Sequence, residues 1–96
     1  MVTHVVLVNF TAKGIEHVKE SPDRAATFVE VAGRSGVEVE GLFWTAGNYD
    51  GVLLLSAPDD QTAAAATLSL GRGGYVQTQT LRAFDREEIQ TILGKL

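Results

Sequence analysis

Cysteine is absent from the 96 residues, which removes disulfides, thiolate metal ligands and a cysteine nucleophile together. Cations are scarce as well. Eight Lys and Arg stand against 12 Asp and Glu, for a net charge of −4. The basic residues form no cluster, which argues against nucleic acid or an anionic membrane as partner. Long apolar runs are missing too. The longest aliphatic stretches, Val5–Val8 and Val52–Leu55, fall far short of the ~20 residues that span a bilayer. The chain enters a β-like run at Thr3 without a basic and then apolar leader, so a cytoplasmic location is expected. There are only two histidines, His4 and His17, and no His-x-x-x-His or carboxylate spacing accompanies them. Neither a metal nor another cofactor is therefore expected. No Gly-x-Ser-x-Gly element occurs, and Ser21, Ser35, Ser56 and Ser69 lack evident triad partners.

What remains is an ordinary folding composition, 45% hydrophobic and 21% charged. Residues 1–96 are expected to form one domain. A chain of this size buries roughly 65% of the surface its unfolded form exposes.

Along the chain, Thr3–Phe10 is β-branched and aromatic and reads as a first strand. Thr11–Glu20 is expected to be irregular or briefly helical, weakened by Gly14. Ser21-Pro22-Asp23 then reads as a helix start: a capping hydroxyl, a proline suited to the first turn and an acid at the positive end of the dipole. Ala25, Phe28, Val29 and Ala32 follow at i, i+3, i+4 and i+7, the spacing of one apolar stripe. Gly36 is a plausible stop. Val37–Trp44 and Asp50–Ala57 read as two strands joined by a turn around Ala46–Tyr49. Pro58-Asp59-Asp60 opens a narrow, alanine-rich helix that Gly71 closes, with the two acids read as helix-start charges. "GRGG" follows a helix and precedes a strand, the reverse of a phosphate cradle. Tyr75–Phe84 reads as a fourth strand and Asp85–Leu96 as a last helix, where Asp85 and Glu88 have capping-box spacing.

The order β-α-β-β-α-β plus a terminal helix is the split βαβ, or ferredoxin-like, arrangement: α+β, with a four-stranded antiparallel sheet and both main helices on one face. A sheet with one wet face should alternate apolar and polar residues. Strand one is apolar on both parities, with Val5 and Leu7 against Val6 and Val8. Strict alternation in strand two sets Val37, Val39 and Phe43 against Leu42 and Trp44. Strand three is apolar on both faces, and only strand four, with Gln77, Thr78, Gln79 and Thr80, looks half wet. Burying one such apolar side chain is worth roughly 1.5–3 kcal/mol, so a whole exposed row would offset most of a small domain's net stability. The second face is expected to be covered by another copy of the chain, or by the terminal helix, which is narrow for four strands.

"NYDGVLLLSAPDD", the alanine-rich helix and "GGYVQTQTLRAF" together resemble the GYD-domain family of small bacterial proteins. So does "NFTAKGIEHVKESPDR" earlier in the chain. One departure is Asn48, which stands before Tyr49 where the family name implies glycine; Gly47 precedes it. The resemblance implies a ferredoxin-like subunit of the dimeric α/β-barrel type. That broad group includes cofactor-free oxygenases, haem-handling enzymes, isomerases and ligand-binding domains, and fold alone does not choose among them.

Six residues are candidates for a site. Tyr49 and Asp50, at a hairpin end, read either as a substrate-orienting pair with Asp50 as general base, or as a turn-stabilising acid beside a packed ring. Arg82 reads as a carboxylate or phosphate anchor, or as a structural partner of Asp50 or of an acid on another subunit. His4, Trp44 and Tyr75 are expected to line a cleft between two sheets. Three functions follow: a homodimer that binds a small, mostly apolar molecule near the sheet–sheet interface; an assembly module without ligand; or a small cofactor-free enzyme using Asp50 or His4 as base.

Overall fold

The computed structural model describes all 96 residues, Met1–Leu96. Its elements are β1 (Val2–Phe10), α1 (Ala12–Glu16), α2 (Ser21–Arg34), β2 (Glu38–Trp44), β3 (Gly51–Ala57), α3 (Asp60–Arg72), β4 (Val76–Ala83) and α4 (Arg86–Leu93). A 3-10 turn over Val18–Glu20 leads into α2. The four strands form one sheet in the order β2-β3-β1-β4, with every neighbouring pair antiparallel. This is the expected α+β, ferredoxin-like arrangement.

The two long helices share one face of that sheet. Phe28 and Ala32 of α2, with Ala63 and Ala66 of α3, close on Val6, Leu53, Leu55 and Ala57 to form the core. The short alanine side chains let α3 lie close to the strands, so a modest apolar volume fills the space between the layers.

Helix starts differ in how they are satisfied. Asp59 caps α3, its Oδ1 accepting the Thr62 N–H at 2.7 Å. Asp85 and Glu88 form the expected capping box on α4. At α2 the expected Ser21 cap is not made. The 3-10 turn continues into the helix, so Ser21 already has helical backbone angles. Its hydroxyl instead accepts the Trp44 indole N–H at 3.0 Å.

Gly14 has a definite role in α1. A Cβ there would lie 2.0 Å from the Tyr75 carbonyl oxygen, so only glycine lets α1 dock on the approach to β4. In the β2–β3 turn the left-handed residue is Gly47, at φ +133°, while Asn48 keeps a negative φ. The glycine displaced by Asn48 thus serves one position earlier.

Strand β2 breaks its alternation. Val39 pairs with Leu55 and Gly41 with Leu54, so Glu40 is an extra residue in a β-bulge. Beyond it, Leu42 and Trp44 join Val39 on the helix face, opposite Leu53 and Gly51, and Phe43 falls on the other face opposite Val52. The expectation that Trp44 and Leu42 lie on the opposite side from Val39 is corrected by this one inserted residue.

The open face carries Val5 and Leu7 of β1, Val52 and Leu54 of β3, Phe43 of β2 and Leu81 of β4. Phe43 is 59% exposed, Leu81 44% and Leu54 37%. Helix α4 leaves them so, and none of its own residues is buried. No helix is long and apolar enough to cross a membrane.

Candidate functional site

At the end of the sheet where β1 finishes and β3 begins, the helices and strands diverge. A cleft of about 510 Å³ opens there between α2, the last turn of α3 and the helix face of the sheet. Of its 22 lining residues, 13 are hydrophobic, so it can hold an apolar body with a few oriented polar contacts. Phe28, Leu70, Trp44 and Tyr75 are among its apolar lining, with Asp50, Ser21 and Arg24 among the polar.

Each polar group is held by its local structure. The Trp44 indole is fixed by Ser21, so the bulge in β2 and the start of α2 jointly set the ring's position. Asp50 sits where the hairpin enters β3. Its Oδ2 accepts the Phe10 N–H at 2.8 Å, and its own N–H donates to the Val8 carbonyl at 2.8 Å. That carboxylate ties the end of β1 to the hairpin, through a donor outside the turn itself. Tyr75 lies between two cations. The Arg24 guanidinium carbon is 4.2 Å from the ring centroid and Lys13 Nζ is 4.4 Å from it. His17, which is exposed, meets the same ring edge-on at 6.1 Å.

Arg24 is the least satisfied group on this wall. Its Nη1 donates to the His17 carbonyl at 2.9 Å, and its Nη2 is buried with no hydrogen-bond partner.

Of the six candidate residues, Trp44, Asp50 and Tyr75 are brought together in this cleft. Tyr49 is not; its hydroxyl donates to Gln79 Oε1 at 3.3 Å, and Gln79 lies opposite Leu7 on the open face. His4 and Arg82 pair with each other across β1 and β4 at the other end of the sheet. Six residues of strand, about 20 Å at ~3.3 Å each, separate His4 from Phe10. His4 is 6% exposed, and its Nε2 lies 3.3 Å from Asp60 Oδ1. Arg82 Nε is 3.5 Å from the same oxygen, and its Nη2 is 3.5 Å from Glu88 Oε2. The Arg82 guanidinium also donates to the Thr3 and Ala83 carbonyls and stacks on Phe84 at 4.6 Å. Its carboxylate partners are thus Asp60 and Glu88 of its own chain, not Asp50. This second cluster joins α3, α4 and the sheet.

The cleft itself is built within one chain, apart from the interface between two sheets where one was expected. The cavity lies between the sheet and its helices, on the face where the bulge places Trp44. Sequence reasoning passed over Ser21 as a site residue and Arg24 altogether. Their spacing to Phe28, at i, i+3 and i+7, places all three on one side of α2 and was the available signal.

Asp59, at the start of α3, has its acidity shifted by the hydrogen bonds of the cap. Hydrogen bonds from the backbone and side chain of Thr62 hold its carboxyl below the ordinary 3.8.

Comparisons with known proteins bear on the fold and the family. The chain is similar to the crystal structure of TTHA0845 from Thermus thermophilus, with 22% identity, a TM-score of 0.57, and 88% of this chain and 95% of that one covered. It is also similar to the crystal structure of MtbAldR, with 13% identity, a TM-score of 0.60, and 88% of this chain covered. The chain spans about half of MtbAldR, 52% of its length. At such identities the likeness concerns fold alone. A search of curated proteins finds no match. Over residues 4–93 the sequence matches the GYD domain, and the chain belongs to the GYD domain family.

Proposed function

We propose that this protein is a homodimer that binds a small, mostly apolar molecule in the cleft beneath α2. The observation that carries the reading is the cleft itself. About 510 Å³ of largely hydrophobic space opens beside Trp44 and Tyr75, next to a closely filled core. An open cleft of that size leaves apolar lining facing water, and a ligand that covers it removes that surface from solvent. The dimer is supported separately by the uncovered apolar row on the open face.

The test uses N-phenyl-1-naphthylamine, an uncharged dye that brightens in apolar surroundings. Wild-type protein is expected to bind it. Ala25→Trp, which fills the cleft from α2, is expected to abolish binding with the fold retained by circular dichroism. Leu54→Asp, on the open face, is expected to leave dye affinity intact. Binding that survives Ala25→Trp but not Leu54→Asp would move the ligand site to the open face and overturn the reading.

A further inference from the structure

We infer that the ligand of this cleft is an organic carboxylate: an apolar body with one negatively charged end held by Arg24. The inference rests on the ligand-binding reading above and adds the ligand's charge. Four charged residues line the cleft, Glu20, Asp23, Asp50 and Arg24, and they differ in what they lack. Glu20 and Asp23 are exposed at the start of α2, where water solvates them. Asp50 already accepts the Phe10 N–H. Only Arg24 holds a buried polar atom with no partner, its Nη2. A guanidinium nitrogen without an acceptor is an unmet demand for a hydrogen bond, and a carboxylate that draws the covered Nη2 toward the cleft meets that demand with opposite charge as well.

The guanidinium is also held ready. Stacking on Tyr75 at 4.2 Å and donation from Nη1 to the His17 carbonyl tether it to the cleft wall before any ligand arrives. Lys13, 4.4 Å from the same ring, adds a second positive charge near that wall. A planar fork held this way suits the planar carboxylate better than a point charge would. The apolar body then lies against Phe28, Leu70 and Trp44.

Three probes of nearly one shape separate the charge from the fit: 4-phenylbutyrate, its primary amide and 4-phenylbutylamine. Trp44 is the single tryptophan and lines the cleft, so its emission, excited where phenyl rings do not absorb, reports occupancy directly. Wild type is expected to bind the carboxylate about tenfold or more tighter than the amide, and the amine most weakly. In Arg24→Met the carboxylate and amide are expected to bind alike, the carboxylate losing about tenfold more affinity than the amide. Arg24→Lys is expected to keep part of the preference. The wild-type ratio stands even if Arg24→Met folds poorly. Equal wild-type affinities, a preference that survives Arg24→Met, or tighter binding of the amine would overturn the carboxylate while leaving the cleft's binding role in place. Silence from all three probes would overturn both.

Discussion

Single residues at the mouth of the cleft hold structure and site together, and their substitutions separate the two roles. Asp50 is the clearest. Its Oδ2 takes the Phe10 N–H at 2.8 Å, so the carboxylate does for the end of β1 what a ladder partner would. Asp50→Ala strands that half-buried donor and is expected to cost about 1–3 kcal/mol in urea denaturation. Asp50→Asn, which keeps an acceptor of the same shape, is expected to cost less. Equal losses from the two would show that the bond to Phe10 contributes little. Asp59 acts at the other end of the molecule and through pH. Thr62 stabilises its ionised form and lowers its pKa in the fold. The cap's contribution is therefore present above the ordinary value of 3.8 and is lost as pH falls through the lower, folded value. Asp59→Asn caps without ionising. It is expected to match wild type near neutral pH and to flatten the acid limb of the stability curve, read by denaturant melts between about pH 2 and 5. An unaltered acid limb would assign that slope to other carboxylates.

Elements show where local rules sufficed and where packing overrode them. The capping box at Asp85 and Glu88, the Asp59 start of α3 and the order of elements along the chain all follow from spacing and residue type, and the structure contains each. Strand β2 is the exception. A period-two reading fails after one inserted residue, and Gly41 is the one hint in "VEVEGLFW" that Glu40 is a bulge rather than an ordinary outward residue. That single ambiguity hid the cleft, because it set Trp44 on the wrong face. Ser21 was misread for a related reason. Its cap propensity is real, but the 3-10 turn before it and the indole opposite claim the backbone and the hydroxyl. Helix α1 inverts a propensity rule. Alanine is about 1 kcal/mol better than glycine inside an isolated helix, yet Gly14→Ala puts a Cβ 2.0 Å from the Tyr75 carbonyl. That substitution is expected to destabilise by about 1–3 kcal/mol. It is also expected to weaken dye binding, since Tyr75 must shift. A rise in melting temperature would mean that α1 is not docked against β4.

At the scale of the whole molecule, the chain is a slab whose shortest extent is 18 Å, one layer of helices on one layer of strands. Two such layers enclose a single core, so the other side of the sheet relies on whatever meets it. Phe43, Leu54 and Leu81 remain 37–59% exposed, and α4 has an apolar stripe of its own in water, with Leu93 at 55%. A second copy set against the open face would bury the first of these rows, at roughly 25 cal/mol for each Å² removed from water. The symmetry of such a pair makes one substitution act twice, because the altered residue enters from both subunits. Leu54→Asp puts two carboxylates at the centre of that interface, where neither finds a partner. The variant is expected to raise the dimer dissociation constant by roughly a hundredfold, moving the main boundary in sedimentation velocity from dimer to monomer with the circular dichroism spectrum unchanged. Because the cleft lies on the opposite face, dye affinity is expected to persist in that monomer. A wild-type protein that already sediments as a monomer would remove the pairing, yet the cleft, built wholly from one chain, would remain.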